Sequence, residues 1–421
     1  MNSPLLKQNS SAGDAKITLV LNPLSSAFAQ DPYSVYTELQ AMQEPYYYAD
    51  LDMLLLSRFS DVSEVALNPN MVRSLVGHRS PAQLSELQRK ANWHEMPHHE
   101  RFVQFSLLDS DGVTHQRLRK LVFGAFTGRS LASLEADIQC LIDDLLDACE
   151  AKQTIDFIED FAAHIPGLVI GKLLGVPEAD APQLRLWSEQ IVQFFDVDRS
   201  DEKKRIAETA THEFYDYLTS LKRSRKVAPR DDLISKMIAD ETQGCYAEDE
   251  FISTCMLILM AGHGSTIDVL GSGMHTLIQQ TEAMSALRAD QSLMPSAIQE
   301  MFRFESPLPF FHRHAIKDVT IRGQHYPAGT TFGLLYGAAN RDPEAFDKPN
   351  DFNISRRPNR HLAFGRGVHL CLGNHLARLN MKLIFSSLLA RFPNILLAEE
   401  NVIYKKGLSV RGPEKLMLHL G

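Results

Sequence analysis

Cysteine is scarce in this chain and forms no recognisable pairing. The 421 residues hold five: Cys140, Cys149, Cys245, Cys255 and Cys371. The number is odd, the spacings are wide and no CxxC occurs, which excludes a disulfide framework and fits a reducing compartment. Basic runs are also absent. Lys and Arg total 43 against 52 Asp and Glu, for a formal net charge of -9, so nucleic acid is not an expected partner. The mild acidity bears on solubility and not on fold. No apolar run approaches the ~20 residues of a membrane span; the longest lies near Cys255–Gly262. The first sixteen residues are polar, with no basic stretch leading into an apolar one, so no secretory leader is expected. Together these absences predict a cytoplasmic protein with no membrane anchor. No internal repeat or low-complexity tract is visible.

What is present is helical periodicity and an ordinary apolar content of 44%, enough for a large core. Length alone allows two or three domains, but no composition break marks a linker. The expectation is a flexible segment over 1–16 and one unit over 17–421. Leu131–Ala151 reads as an amphipathic helix, with Leu134, Ile138, Leu141, Leu145 and Leu146 on one side. Pro166–Leu174 is apolar and stops at Gly175-Val-Pro177. Ala207–Arg223 is a third helix. Ala247–Gln280 is a fourth, ~50 Å long at ~1.5 Å per residue, so its apolar middle must be buried. Strand signals are weaker: Asp52–Ser57, and Val319–Tyr326 with Thr330–Leu335 as its partner across the turn at Pro327-Ala-Gly329. The fold class is mainly α with a minor β region.

The richest stretch is Phe364-Gly-Arg-Gly-Val-His-Leu-Cys-Leu-Gly373. Gly365, Gly367 and Gly373 flank Cys371 and permit close approach of a flat ligand. A helical pattern follows (Leu372, Leu376, Leu379, Leu383), placing Cys371 near the positive end of a helix, which favours thiolate. Taken alone, the loop admits a metal ligand, a nucleophile paired with His369, or a buried structural cysteine. As a whole it resembles, without departure, the haem-binding loop FGxGxHxCxG of the cytochrome P-450 family. The resemblance runs from about Asp31 to the C-terminus. Glu300-Met-Phe-Arg303 is similar to that family's ExxR pair, with Arg356 as third member of a structural ion network. Leu173-Leu-Gly-Val-Pro177 fits its soluble bacterial branch.

The resemblance implies a helical prism with a small sheet-rich lobe and one haem b on Cys371, whose electron-rich iron assists O–O cleavage. It implies haem contacts from Phe364, Gly365 and Gly373 of the loop and from Ala261. Propionate contacts follow from His115, Arg119, Arg313 and His369, with His361 as a further candidate, because buried carboxylates need cationic donors. It also implies a small apolar organic substrate, dioxygen, and electrons from an NAD(P)H reductase through a separate ferredoxin or flavodoxin. Arg366 and Arg378 would contribute charge at that docking face. The substrate pocket would draw on Ser74–Phe105 (a polar, histidine-rich mobile lid), Gln190–Asp196, Leu257–Ser265, Leu308–Phe311 and Leu408–Val410.

One segment departs from the family pattern. Where AGx(D/E)T(T/S) is usual, this chain reads Ala261-Gly-His-Gly-Ser-Thr266. Gly264 stands at the acid's position and Ser265 at the first threonine's, with Thr266 following. The hydroxyls suit the reaction; the missing carboxylate leaves the proton relay open. Three readings compete: water fills Gly264's space, His263 or Asp268 substitutes for the acid, or the chemistry is peroxide-driven turnover or oxidative coupling. Two other classes compete. A haem sensor without turnover would share the loop. A zinc hydrolase is spelled by His94-Glu-Met-Pro-His98, an HExxH string, although Pro97 falls inside the helix that string requires.

Overall fold

A computed structural model of the protein describes residues 19–421. The segment expected to be flexible, 1–16, lies outside the described residues. Helices dominate and pack around one of their own. The central helix Glu248–Gln279 runs 32 residues, and most of its side chains are buried, from Phe251 to Leu277. A helix carrying apolar residues all round must be enclosed. Here it lies against His164–Leu174, Ala181–Val192, Pro97–Phe105 and Asp201–Val227. The first of these stops where the sequence indicates. Gly175 adopts φ 90°, and the Gly175 and Val176 amides both donate to the Gly171 carbonyl at 2.8 Å. A side chain at Gly175 would also collide with Asp232.

The sheet lobe is a five-stranded sheet ordered Tyr46–Tyr48, Met53–Leu56, Thr331–Leu335, Phe310–Ala315, Met71–Val72. Met53–Leu56 runs parallel to Thr331–Leu335; the other neighbours are antiparallel. A smaller sheet joins Thr154–Asp156 to Met417–His419.

Several expected elements are corrected. The helix predicted over Leu131–Ala151 is two, Gly128–Ala132 and Glu135–Glu150. The hydroxyls of Ser130 and Ser133 take the carbonyls of Gly124 and Ser130, at 2.7 and 2.8 Å, and so compete with continuous helix. Val319–Tyr326 is a hairpin of two three-residue strands, turned at Arg322-Gly323, where both residues have positive φ. Its alternating pattern runs straight through the turn. Thr331–Leu335 pairs with Phe310–Ala315 and not with that hairpin.

Ser74–Phe105 is not a featureless lid. It holds two helices. Pro81–Lys90 is opened by a capping box of Ser80 and Gln83, and Pro97–Phe105 follows. Pro97 starts its helix, where proline is tolerated because its missing N–H would be unpaired anyway. His94 therefore lies outside the helix and His98 inside it, with Glu95 at φ 59°. The one-turn spacing that zinc binding requires never forms, and His98 instead stacks on His212 at 4.1 Å.

Candidate active site

The cysteine loop is shaped by backbone before side chains. Gly365 and Gly367 both take positive φ, 67° and 77°. A Cβ at Gly367 would lie 2.7 Å from the Ala66 carbonyl oxygen, so only glycine fits there. The Cys371 amide donates to the Phe364 carbonyl at 2.9 Å. Asn374 then begins the helix Asn374–Arg391 and donates its side-chain amide to the Cys371 carbonyl at 2.7 Å. Arg119 reaches across from Gly112–Phe123 and donates to the Leu370 carbonyl at 2.6 Å.

Burial pushes the Cys371 thiol up, against the Gly373 amide and the Arg119 and Arg378 guanidiniums, which pull it down. The thiolate expected from the helix start is therefore outweighed by desolvation. A coordinated metal cation reverses that balance, since metal-bound thiols are deprotonated outright.

A second group assembles from three distant segments. His115 is buried and stacks near His369, ring centroids 4.3 Å apart. His369 pairs with Asp111 at 3.1 Å, and Asp111 also accepts the Arg73 and Ser74 amides at 2.9 and 3.0 Å. Burial, then the His369 charge, holds His115 at about 4. Arg313 is buried and donates to the His312 carbonyl at 2.8 Å. Among the described residues no carboxylate lies within 4.0 Å of it, unlike its neighbour Arg73, paired with Asp109 at 2.8 Å. Burial brings Arg313 down to about 10. A buried guanidinium without an anion is costly, and a haem propionate is the anion this cluster fits.

His361 does not join this cluster. Its Nε2 faces Gln299 Oε1 at 3.1 Å, and its ring stacks with Phe302 at 6.2 Å. Gln299 also accepts from Arg378, whose guanidinium lies 4.4 Å over Phe364. His361 thus braces the loop from below.

The ExxR pair is fully buried. Arg303 donates twice to Glu300, at 2.8 and 2.7 Å, and Arg356 Nε reaches both Glu300 oxygens at 3.2 Å. Asn353 and Asn359 complete the carboxylate's partners. The network ties the helix Met294–Phe304 to the segment that leads into the cysteine loop.

On the central helix, Ala261 is accessible although the residues before it are buried. Gly264 faces open space: a Cβ there meets nothing within 4 Å. Ser265 donates back to the Ala261 carbonyl at 3.1 Å. His263 points elsewhere, its Nε2 so close to Gly167 that any side chain there would clash. Asp268 shares the Ala261–Ser265 stripe at i, i+4, i+7, but is buried and paired with Lys405 at 2.7 Å.

Comparison with known proteins places this geometry. A family model described as Cytochrome P-450 matches residues 65–420. The polyketide biosynthesis cytochrome P-450 PksS of Bacillus subtilis is 32% identical over 413 residues, 96% of this chain and 99% of that protein. The crystal structure of P450BioI with an acyl carrier protein bearing hexadec-9Z-enoic acid is similar, with TM-score 0.86 and 31% identity over 94% of this chain and 99% of that one. A myxobacterial relative, CYP267B1 in complex with myristic acid, gives TM-score 0.87 and 31% identity, covering 94% and 98%. The chain belongs to the cytochrome P-450 family. It is a haem-thiolate monooxygenase, acting on a substrate with dioxygen and a redox partner.

Sequence reasoning about this cytochrome P-450 missed the residues behind the loop, Gln299 and Phe302, because no motif marks them. It also missed the Asp268–Lys405 pair, whose members lie 137 positions apart. One helix, Glu248–Gln279, is long and apolar enough to cross a membrane, but 72% of its apolar window is buried in the protein.

Proposed function

We propose that this cytochrome P-450 holds one haem b through Cys371 Sγ and inserts one oxygen atom from dioxygen into an apolar organic substrate. Electrons come from NAD(P)H through a separate reductase and a ferredoxin or flavodoxin. Residues 17–421 act as a single catalytic unit. The observation that carries the reading is Arg313, a buried cation with no carboxylate within 4.0 Å among the described residues, in a cluster with His115 and His369. These three hold the propionates, and Arg119 supports them from the helix that carries His115. Phe364, Gly365 and Gly373 shape the loop against the haem face, and Ala261 leaves room on the opposite face.

The bound haem supplies the reductive activation of dioxygen. The chain supplies the rest. Ser265 Oγ releases the Ala261 carbonyl and presents a proton to the reacting oxygen. Thr266 stands beside it as a second hydroxyl. Gly264 makes room for water, which carries protons in place of the usual acid. The redox partner docks on the loop's outer face, where Val368 and Leu370 are exposed beside Arg366. Arg378 is held on Gln299 and Asn374 and is half-buried, so the exposed Arg366 is the better placed of the two to meet a partner. Relatives bind long aliphatic acyl chains, as P450BioI and CYP267B1 do, and the apolar Leu308, Phe310 and Phe311 suit such a substrate.

Cys371→Ala tests the assignment. It is expected to abolish the reduced-CO absorption band of thiolate-ligated haem. A variant that keeps that band would disprove Cys371 as the ligand. A second reading, peroxide-driven turnover or oxidative coupling, is favoured by one observation, the absence of an acid at Gly264.

A further inference from the structure

Three of the segments expected to form the substrate pocket meet at one place. Asp196 follows the turn Gln193–Phe195 and accepts the amides of Leu408 and Ser409 at 2.9 and 2.8 Å. Trp93 packs edge-on against Phe195, centroids 5.6 Å apart, and lies 6.1 Å from Phe194. Arg199 stands over the Trp93 ring at 5.3 Å. Its Nε donates to the Asp196 carbonyl at 3.1 Å. Its two terminal nitrogens have no protein acceptor among the described residues.

The nearby carboxylates are engaged elsewhere. Asp196 serves the two amides just named, Asp198 pairs with Lys203 at 2.9 Å, and Asp201 accepts from Asn92 at 2.9 Å. Arg199 is half-buried and its terminal nitrogens stay accessible, whereas among the described residues Trp93 Nε1 and His99 Nε2 are buried without protein partners. Native proteins seldom leave such groups unmatched. Burial brings Arg199 down to about 10. Burial and the Arg199 charge hold His99 neutral, at about 3.

The site therefore offers one positive charge in a planar fork, backed by aromatic walls. A single guanidinium matches a carboxylate bidentately. A phosphate dianion would call for a second cation; His99 is neutral, and Lys204 Nζ is turned to Asn92 Oδ1 at 3.3 Å. We propose that Arg199, framed by Trp93 and Phe195, is the head-group site for a free carboxylate on the substrate, whose hydrocarbon part fills the apolar pocket. This rests on the haem-thiolate reading above and adds the substrate's chemical class: an aliphatic monocarboxylic acid.

The test exploits the chain's two tryptophans. In holoenzyme carrying Trp187→Phe, whose ring is kept against Phe214, Trp93 alone reports. Sodium alkanoates from hexanoate to hexadecanoate are titrated against the matching alcohols, following Trp93 emission and the Soret band. Acids are expected to quench Trp93 and bind at least about tenfold more tightly than alcohols of equal length. Arg199→Gln is expected to erase that preference, and Arg199→Lys to restore part of it. Equal binding of acid and alcohol, a preference that survives Arg199→Gln, or no quenching by any acid would each overturn the proposal. Trp93 quenching reads the head-group site without the haem signal, whereas loss of the reduced-CO band in the Trp187→Phe parent would strike the haem reading instead.

Discussion

Gly264 is where a single residue decides the most chemistry. The open space beside it admits a Cβ without touching a neighbour, and glutamate suits a helix better than glycine by up to about 1 kcal/mol. Gly264→Glu is therefore expected to fold normally. If proton supply limits turnover, it should raise NAD(P)H-driven product formation about tenfold and reduce peroxide release. That lies below the ~10²–10⁴-fold that general acid catalysis contributes, because Ser265 and water already carry part of the relay. Unchanged turnover and peroxide release would show that protons are not limiting. Cys371 and its glycines were legible at this scale because their spacing is itself the constraint. The isolation of Arg313 was not, since lacking a partner is a property of surroundings drawn from other segments. His361 lies apart from that cluster, against Gln299 and Phe302, and its place near the loop in sequence does not say so.

Among the elements, the helix Met294–Phe304 owes its anchoring to one buried carboxylate. Burial would raise Glu300, but hydrogen bonds and charge from Arg303, the Asn353 amide and Arg356 hold it below its ordinary value. Removing that charge leaves two guanidiniums uncompensated. Glu300→Gln is expected to cost about 3–5 kcal/mol, read as a lower urea midpoint together with weaker haem retention. A loss under about 1 kcal/mol would make the network no stronger than an exposed ion pair. Long helices were the most readable elements. The central helix falls within a few residues of expectation, because its apolar character is sustained, and the apolar run Pro166–Leu174 ends at Gly175 as its sequence indicates. Short elements were misread where local chemistry overrode pattern, as at Ser130 and Ser133 and at Arg322-Gly323, and the helix Pro97–Phe105 was hidden by the polar composition of its segment.

For the whole molecule, buried histidines set the response to acid. His99, His263 and His314 are held near 3, 4 and 3, chiefly by burial, against an ordinary 6.5. Unfolded, each takes up a proton around pH 6.5. The unfolded state therefore binds more protons below that pH. Stability present above pH 6.5 is lost as pH falls toward about 4, the region of the folded values. Each group contributes on the order of 1–2 kcal/mol by pH 5. Urea midpoints at pH 7 and pH 5 check this, and equal midpoints would refute it.

The pairings that close this fold reach far along the chain. Thr154 meets His419 across 265 positions, and Asp111 meets His369 across 258. A ribosome must therefore release the chain through His369 before the cluster of His115, Arg313 and His369 exists beside Cys371. Pairing at such separations is slow. The site around Cys371 thus cannot form until the chain has been made past that residue, and capture of the prosthetic group is a late event in folding.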